Sequence, residues 1–111
     1  MKKLEFLILG KNEPILEILL RLVNANEDWH AIGFGDEETA KEYFKQNLLD
    51  IVLLSSGIDT ESEKKIQEFF MAQQPEIEII QHYGGGSGLL QNEILQALEQ
   101  RRKRKLSENK A

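Results

Sequence analysis

Apolar residues follow two kinds of pattern that alternate along this chain. Runs such as Leu4–Leu9 and Ile51–Leu54 are almost continuously apolar, which is typical of strands buried on both faces of a parallel sheet. Between the runs, apolar residues recur three and four positions apart, as in a helix that buries one face. The pattern predicts strands at 4–9, 29–34, 50–54 and 76–83, each followed by a helix.

Helix starts are indicated by polar residues directly after the strands. Asn12 and Asp36 stand where an N-cap belongs, because their side chains can accept from free backbone N–H groups. Thr60 with Glu63 forms a capping-box pattern before the third helix. The chain is therefore predicted to alternate strand and helix four times.

This alternation predicts an α/β fold with a doubly wound parallel sheet and helices on both faces. The first and third strands are the most apolar, so they belong in the centre, and the spatial order is predicted as 2-1-3-4. Glu78 inside the fourth strand is easier to accept at a sheet edge. We expect a single domain at 1–100 and a basic tail at 101–111.

Charge is unevenly distributed along the chain. Arg101–Lys105 is entirely basic, and the rest of the chain carries 9 basic against 19 acidic residues, within a net charge of −5. A body this acidic should be repelled by nucleic acid, so we do not expect a nucleic-acid partner. The basic run is interpreted as a solvated helix end that complements the helix dipole, or as a phosphate-contacting tail.

Composition also restricts the location of the protein and its chemistry. The absence of cysteine excludes a disulfide framework and a thiolate metal site. The apolar runs are far shorter than a membrane span, and no secretory signal is recognisable. We expect a cytoplasmic protein with no membrane contact.

Three segments resemble the receiver domains of response regulators. Leu7–Pro14 is similar to the family's first strand and acidic turn, Asp50–Ser55 to its third strand, and Pro75–Ile80 to its fourth. The resemblance implies a flavodoxin-like fold and a role in two-component signal transduction. It places Ser55 at the position of the phosphate-accepting aspartate and Tyr83 at or near that of a phosphate-contacting threonine or serine.

The departures from the family pattern indicate a pseudo-receiver. Glu13 matches the acidic turn, but Lys11 and Asn12 replace the acidic pair before it and Ser55 replaces the acceptor. Mg²⁺, which needs several carboxylate and water oxygens, should bind poorly there. Lys11 either takes the place of the metal ion and fixes one conformation, or is a solvated surface lysine.

The resemblance also implies a shortened fold. Receiver domains continue with a fifth strand, whereas this chain passes through a glycine-rich segment into one last helix. The fifth strand is therefore missing, and the fourth strand is left as an open edge. We expect either a homodimer paired through this edge or a monomer whose edge is blunted by Glu78. The possible dimer edge comprises Ile77, Ile79 and Gln81.

The remaining polar residues near the strand ends have two interpretations. The segment Gly84, Gly85, Gly86, Ser87 and Gly88 is a tight turn or an anion-binding turn. His82 and Ser55 resemble a base and a nucleophile but lack a supporting motif, so we expect a polar rim without catalysis. His30 and His82 should lie at opposite ends of the sheet, so no histidine metal site and no cofactor are expected.

Two functions remain on the sequence alone. The first is a phosphorylation-independent, non-enzymatic signalling module that acts through protein–protein contacts and associates with itself. The second is a small anion- or nucleotide-binding domain that uses Lys11, Ser55, Tyr83 and the glycine turn.

Overall fold

The fold was analysed in a computed structural model that describes residues 3–55, 57–82 and 87–109, without the side chains of 87, 88 and 105–109. Strands and helices alternate strictly, as predicted. The elements are β1 (Leu4–Leu9), α1 (Glu13–Asn24), β2 (Trp29–Phe34), α2 (Glu37–Gln46), β3 (Ile51–Leu54), α3 (Thr60–Gln73), β4 (Glu78–Gln81) and α4 (Ser87–Asn109).

The described strands form a parallel sheet of four strands in the order β2-β1-β3-β4, which confirms the predicted topology. The central strands β1 and β3 pair with Phe6 opposite Ile51 and Leu9 opposite Leu54. Every residue of β3 is buried, and so are the last four of β1. Their continuous apolar runs reflect this burial on both faces.

Each face of the sheet carries its own core, so the fold is doubly wound. On one face, α1 and α4 cover Phe6, Ile8 and Leu53. On the other face, α2 and α3 cover Leu7 and Leu54. Since side chains alternate across a strand, successive residues of β1 supply the two cores in turn. Helix α4 thus shares its face with α1.

The predicted caps of α1 and α2 are confirmed, whereas that of α3 is wrong by one residue. Asn12 accepts from the N–H of Ile15, and Asp36 from that of Thr39. The cap of α3 is Asp59, whose carboxylate accepts from the backbone and hydroxyl of Ser62. The Asp59 carboxylate, one position before Thr60, therefore takes the capping role that was predicted for Thr60.

Helix α4 continues through the basic run to Asn109. Arg101 Nη1 bonds Asp50 Oδ1 at 2.9 Å, and Arg104 Nη2 lies 2.5 Å from Glu78 Oε1. Both carboxylates lie where β3 and β4 begin, at the amino edge of the sheet. The pair with Arg104 explains how Glu78 is buried within a strand. No helix in the described part of the chain is long and apolar enough to cross a membrane.

Candidate functional site at the carboxyl edge of the sheet

Parallel strands bring the loops after β1 and β3 together at one edge of the sheet. Lys11 is exposed, and Gly57 lies against it so closely that a Cβ at Gly57 would be 2.7 Å from the Lys11 Cβ. Gly57 adopts φ +94°, a conformation that favours glycine. Ser55 is buried, and its N–H donates to the Leu9 carbonyl at 2.8 Å. Lys11 and Ser55 thus lie at the same edge of the sheet.

The side chains of Asn12 and Glu13 belong to the start of α1. Asn12 Oδ1 accepts from the N–H of Ile15 at 3.3 Å, and its carbonyl accepts from Leu16 at 2.9 Å. Glu13 is exposed in the first turn of the helix, where its charge favours the helix dipole. The Asn12 oxygen is therefore already used for capping.

Two aspartates at this edge are influenced by the Lys11 charge. Hydrogen bonds from the hydroxyl and N–H of Thr39, assisted by the Lys11 charge, lower the pKa of Asp36 from its usual value. The pKa of Asp59 is lowered by hydrogen bonds from the N–H and hydroxyl of Ser62, again with a contribution from Lys11. The two N-caps and the lysine thus form an electrostatic cluster at the ends of β1, β2 and β3.

From the sequence, Asp36 was predicted only as a helix cap, and Asp59 was not recognised as a site residue. Both residues follow a strand of a parallel sheet, and the carboxyl ends of such strands meet at one edge. That rule was sufficient to place them beside Lys11.

The carboxyl end of β4 is held from both faces. The Gln81 amide donates to a Glu63 carboxylate oxygen on α3. The next residue, His82, is buried, and its Nδ1 lies 2.5 Å from Glu93 Oε1 on α4. The N–H of His82 donates to the Leu54 carbonyl at 2.8 Å. These contacts join β4 to both helix layers, and their partners Glu63 and Glu93 were not recognised as site residues from the sequence.

Several predicted site residues fall outside what the structure describes. Tyr83, Gly84, Gly85 and Gly86 lie there, so the phosphate-contact position and most of the glycine turn stay predictions. Ser87 and Gly88 begin helix α4.

His30 lies at the opposite edge of the sheet from His82, as predicted. It is half exposed, and its Nδ1 is 2.7 Å from Glu5 Oε2. Within residues 3–55, 57–82 and 87–109, no group of three or more histidine, aspartate or glutamate side chains could hold a metal ion.

The residues at this edge do not fit the Mg²⁺ ion that phosphorylation of a receiver domain would require. An octahedral Mg²⁺ site needs oxygen ligands, at least some of them carboxylates. Lys11 brings an ammonium instead, Asn12 caps a helix, and the carboxylates of Asp36 and Asp59 accept hydrogen bonds at helix starts.

Several solved structures with the same architecture are receiver domains. The signal receiver domain of an HD domain-containing protein from Pseudomonas fluorescens Pf-5 superposes with a TM-score of 0.79 at 16% identity, over 92% of this chain and 99% of that one. The fold is that of a receiver domain. A CheY-like receiver domain protein from Methanospirillum hungatei JF-1 matches with a TM-score of 0.66 at 15% identity, over 98% of both chains.

A third receiver domain protein, from Clostridium thermocellum, matches with a TM-score of 0.63 at 19% identity, over 86% of this chain and 75% of that one. No family model and no curated protein matches this sequence. The likeness to these proteins is therefore one of fold.

Proposed function

We propose that this chain is a receiver-like signalling module that works without phosphorylation, in the cytoplasm, through contacts with other proteins. The observation that carries the proposal is the replacement of the acidic pocket: Lys11 is at the end of β1, and a buried Ser55 is at the end of β3. The receiver fold is retained, while the chemistry that would operate a phosphoryl switch is not.

Electrostatics at the carboxyl edge supports this proposal. Asp36 and Asp59 interact favourably with Lys11, and both accept hydrogen bonds from helix N-termini. A divalent cation at this edge would be repelled by the ammonium and would compete for carboxylate oxygens already in use. Metal-assisted transfer of a phosphoryl group to Ser55 is therefore not expected, and we propose no catalytic role for the chain.

Contacts at the end of β4 support a fixed conformation. Gln81 is bonded to Glu63 on one face of the sheet, and His82 contacts Glu93 on the other. Any displacement of this segment would break polar contacts in partly buried surroundings, where an unpaired group costs about 1–3 kcal/mol. The module is then always ready to bind its partner, and its activity is set by the partner's concentration.

The anion-binding alternative is less well supported by the same residues. Lys11 would have to attract an anion although Asp36 and Asp59 lie close enough to interact with it. If it did, millimolar phosphate would raise the melting temperature, and Lys11→Ala would abolish the increase. We expect no increase for either protein.

The experiment that tests the proposal is an amide NMR titration with Mg²⁺ and then beryllofluoride, an acyl-phosphate mimic. We expect no saturable shifts at Lys11, Asn12 or Ser55. A matched variant carries Lys11→Asp, Asn12→Asp and Ser55→Asp together, which restores three carboxylates while retaining a residue that can cap α1.

Binding of Mg²⁺ to the triple variant but not to the natural chain would show that these substitutions disable the site. Saturable shifts in the natural chain would overturn the proposal, because a phosphoryl switch would then still be possible.

Self-association through β4 is the protein contact we propose first. In the described part of the chain this strand pairs only with β3, so its outer side has no strand partner. Sedimentation should show a dimer at tens of micromolar, and a monomer at that concentration would contradict self-association without affecting the proposal on phosphorylation.

A further inference from the structure

The backbone of β4 determines which groups an incoming strand would meet. The N–H groups of Glu78 and His82 donate to the carbonyls of Asp50 and Leu54. Backbone groups alternate in direction along a strand, so those of Ile79 and Gln81 point away from β3. Ile77 does not extend this edge, since its N–H donates to the Gln74 carbonyl at 3.0 Å.

Two outward residues restrict the pairing to one favourable register. Each offers one donor and one acceptor, and in an antiparallel ladder a hydrogen-bonded pair exchanges both. If Ile79 of one copy lies opposite Gln81 of the other, a two-fold axis at Ile80 uses every outward group of both residues. An axis at Ile79 would use only Ile79 fully, because Gln81 would then face Ile77, whose N–H already donates to Gln74. Among the described residues, the axis at Ile80 is the one that pairs both outward residues with each other.

An apolar side chain beside this edge favours a second copy. Leu89 on α4 is 52% exposed. It lies four residues before Glu93, which contacts His82 directly after β4, so both are on the same side of α4. A two-fold axis at Ile80 would bring Leu89 towards the same helix of the other copy and remove it from water.

Polar groups are also complementary in this register. With the axis at Ile80, Glu78 of one copy faces His82 of the second copy, and both side chains project to the α4 face. Glu78 is paired with Arg104, and His82 with Glu93. The cross-strand neighbours would thus be an acidic side chain and an imidazole rather than two like charges, so the edge is complementary to itself.

From these observations we infer that β4 pairs antiparallel with β4 of a second copy, with Ile79 opposite Gln81 and the two-fold axis at Ile80, to give one continuous sheet. This inference rests on the self-association proposed above and adds its geometry. In this pairing the open edge of β4 is covered by the same strand of a second copy, which presents the same donors and acceptors.

Disulfide trapping tests the register, since the chain has no cysteine of its own. In the inferred register Ile79→Cys of one copy and Gln81→Cys of the other lie about 5.5 Å apart at their Cα atoms, within disulfide range. Two copies of the same variant would place their cysteines about 8 Å apart, outside that range. Mixing the two variants, one of them carrying a mass tag, in a glutathione redox buffer should give the mixed disulfide and little of either homodimer.

Outcomes of this experiment separate the register from self-association. Efficient cross-linking of Ile79→Cys alone or Gln81→Cys alone would overturn the register but leave a β4 dimer. A mixed product no greater than that of Ile79→Cys with Leu48→Cys, together with a monomer in sedimentation, would overturn both. The control uses Leu48 because it is highly exposed and lies between α2 and β3, outside β4.

A second variant addresses the same edge without a cross-link. Ile79→Pro removes one outward N–H but leaves the hydrogen bonds from Glu78 and His82 to β3 in place. We expect it to weaken dimerisation at least about tenfold, whereas Ile79→Val, which retains the N–H, should change it little. Equal dimerisation of the two variants would overturn the inferred pairing.

Discussion

Replacing Asp50 by alanine removes two contacts that fix the amino edge of the sheet. Asp50 Oδ2 accepts from the N–H of Glu5 at 2.8 Å, and Oδ1 bonds Arg101 Nη1 at 2.9 Å. The first contact stabilises the fold by about 1 kcal/mol. The side chains of the ion pair are 17% and 25% exposed, so its contribution lies between that of a surface pair, about 0–1 kcal/mol, and the cost of breaking a buried one, about 3–5 kcal/mol.

We therefore expect Asp50→Ala to lower the free energy of unfolding by about 2–3 kcal/mol, which corresponds to a decrease in melting temperature of about 8–15 °C. Urea denaturation followed by circular dichroism measures this loss. A double-mutant cycle with Arg101→Met should give a coupling energy of about 1 kcal/mol or more.

The same helix provides a control for this cycle. Arg102 bonds Glu99 at 2.8 Å, but both side chains are largely in solvent, so that cycle should show no coupling above error and a greater sensitivity to salt. Equal coupling energies in the two cycles would refute the argument that partial burial strengthens the Arg101 contact.

Three further predictions concern the carboxyl edge and the core. Gly57→Ala should lower the free energy of unfolding by about 1–3 kcal/mol, because φ is +94° and the new methyl would collide with Lys11; an unchanged urea midpoint would contradict this. Asp36 and Asp59 have lowered pKa values in the folded state, so their stabilising effect is present above the unfolded pKa and is lost as pH falls through the folded one. Between about pH 2 and 5, the melting temperature should accordingly change less with pH in Asp36→Asn and Asp59→Asn than in the natural chain. An equal pH dependence would argue against the caps as the cause. Phe70→Ala should cost about 3–5 kcal/mol, because the ring is fully buried; a loss below about 1 kcal/mol would indicate that the core on its face closes over the cavity.

The topology could be predicted because burial leaves a local pattern. The apolar runs of β1 and β3 result from their central position, and the predicted bounds of β1 and β2 agree with the structure. Strand β4 is shorter than predicted, at Glu78–Gln81. Its predicted start included a turn in which Ile77 is buried and donates its N–H to Gln74.

Contacts between distant residues could not be predicted, because they have no local pattern. Glu63 was interpreted as a partner of Thr60 within a capping box, whereas it bonds Gln81 from another element. Arg101 and Asp50 are 51 positions apart, and nothing near either residue indicates the other. The charged residues at the carboxyl edge are an intermediate case. No local pattern indicates their contacts, but the parallel topology determines that they meet at this edge.

The position of α4 has a consequence for the order in which the chain folds. One face of the sheet, including Phe6, Ile8 and Ile80, is covered in part by Leu90, Ile94 and Ala97, all of which come after β4. During synthesis the sheet can form with α1 on this side, while the part that α4 covers stays exposed until α4 has been made. A newly made chain therefore passes through a stage in which part of an apolar sheet face is accessible to chaperones and to other unfinished chains.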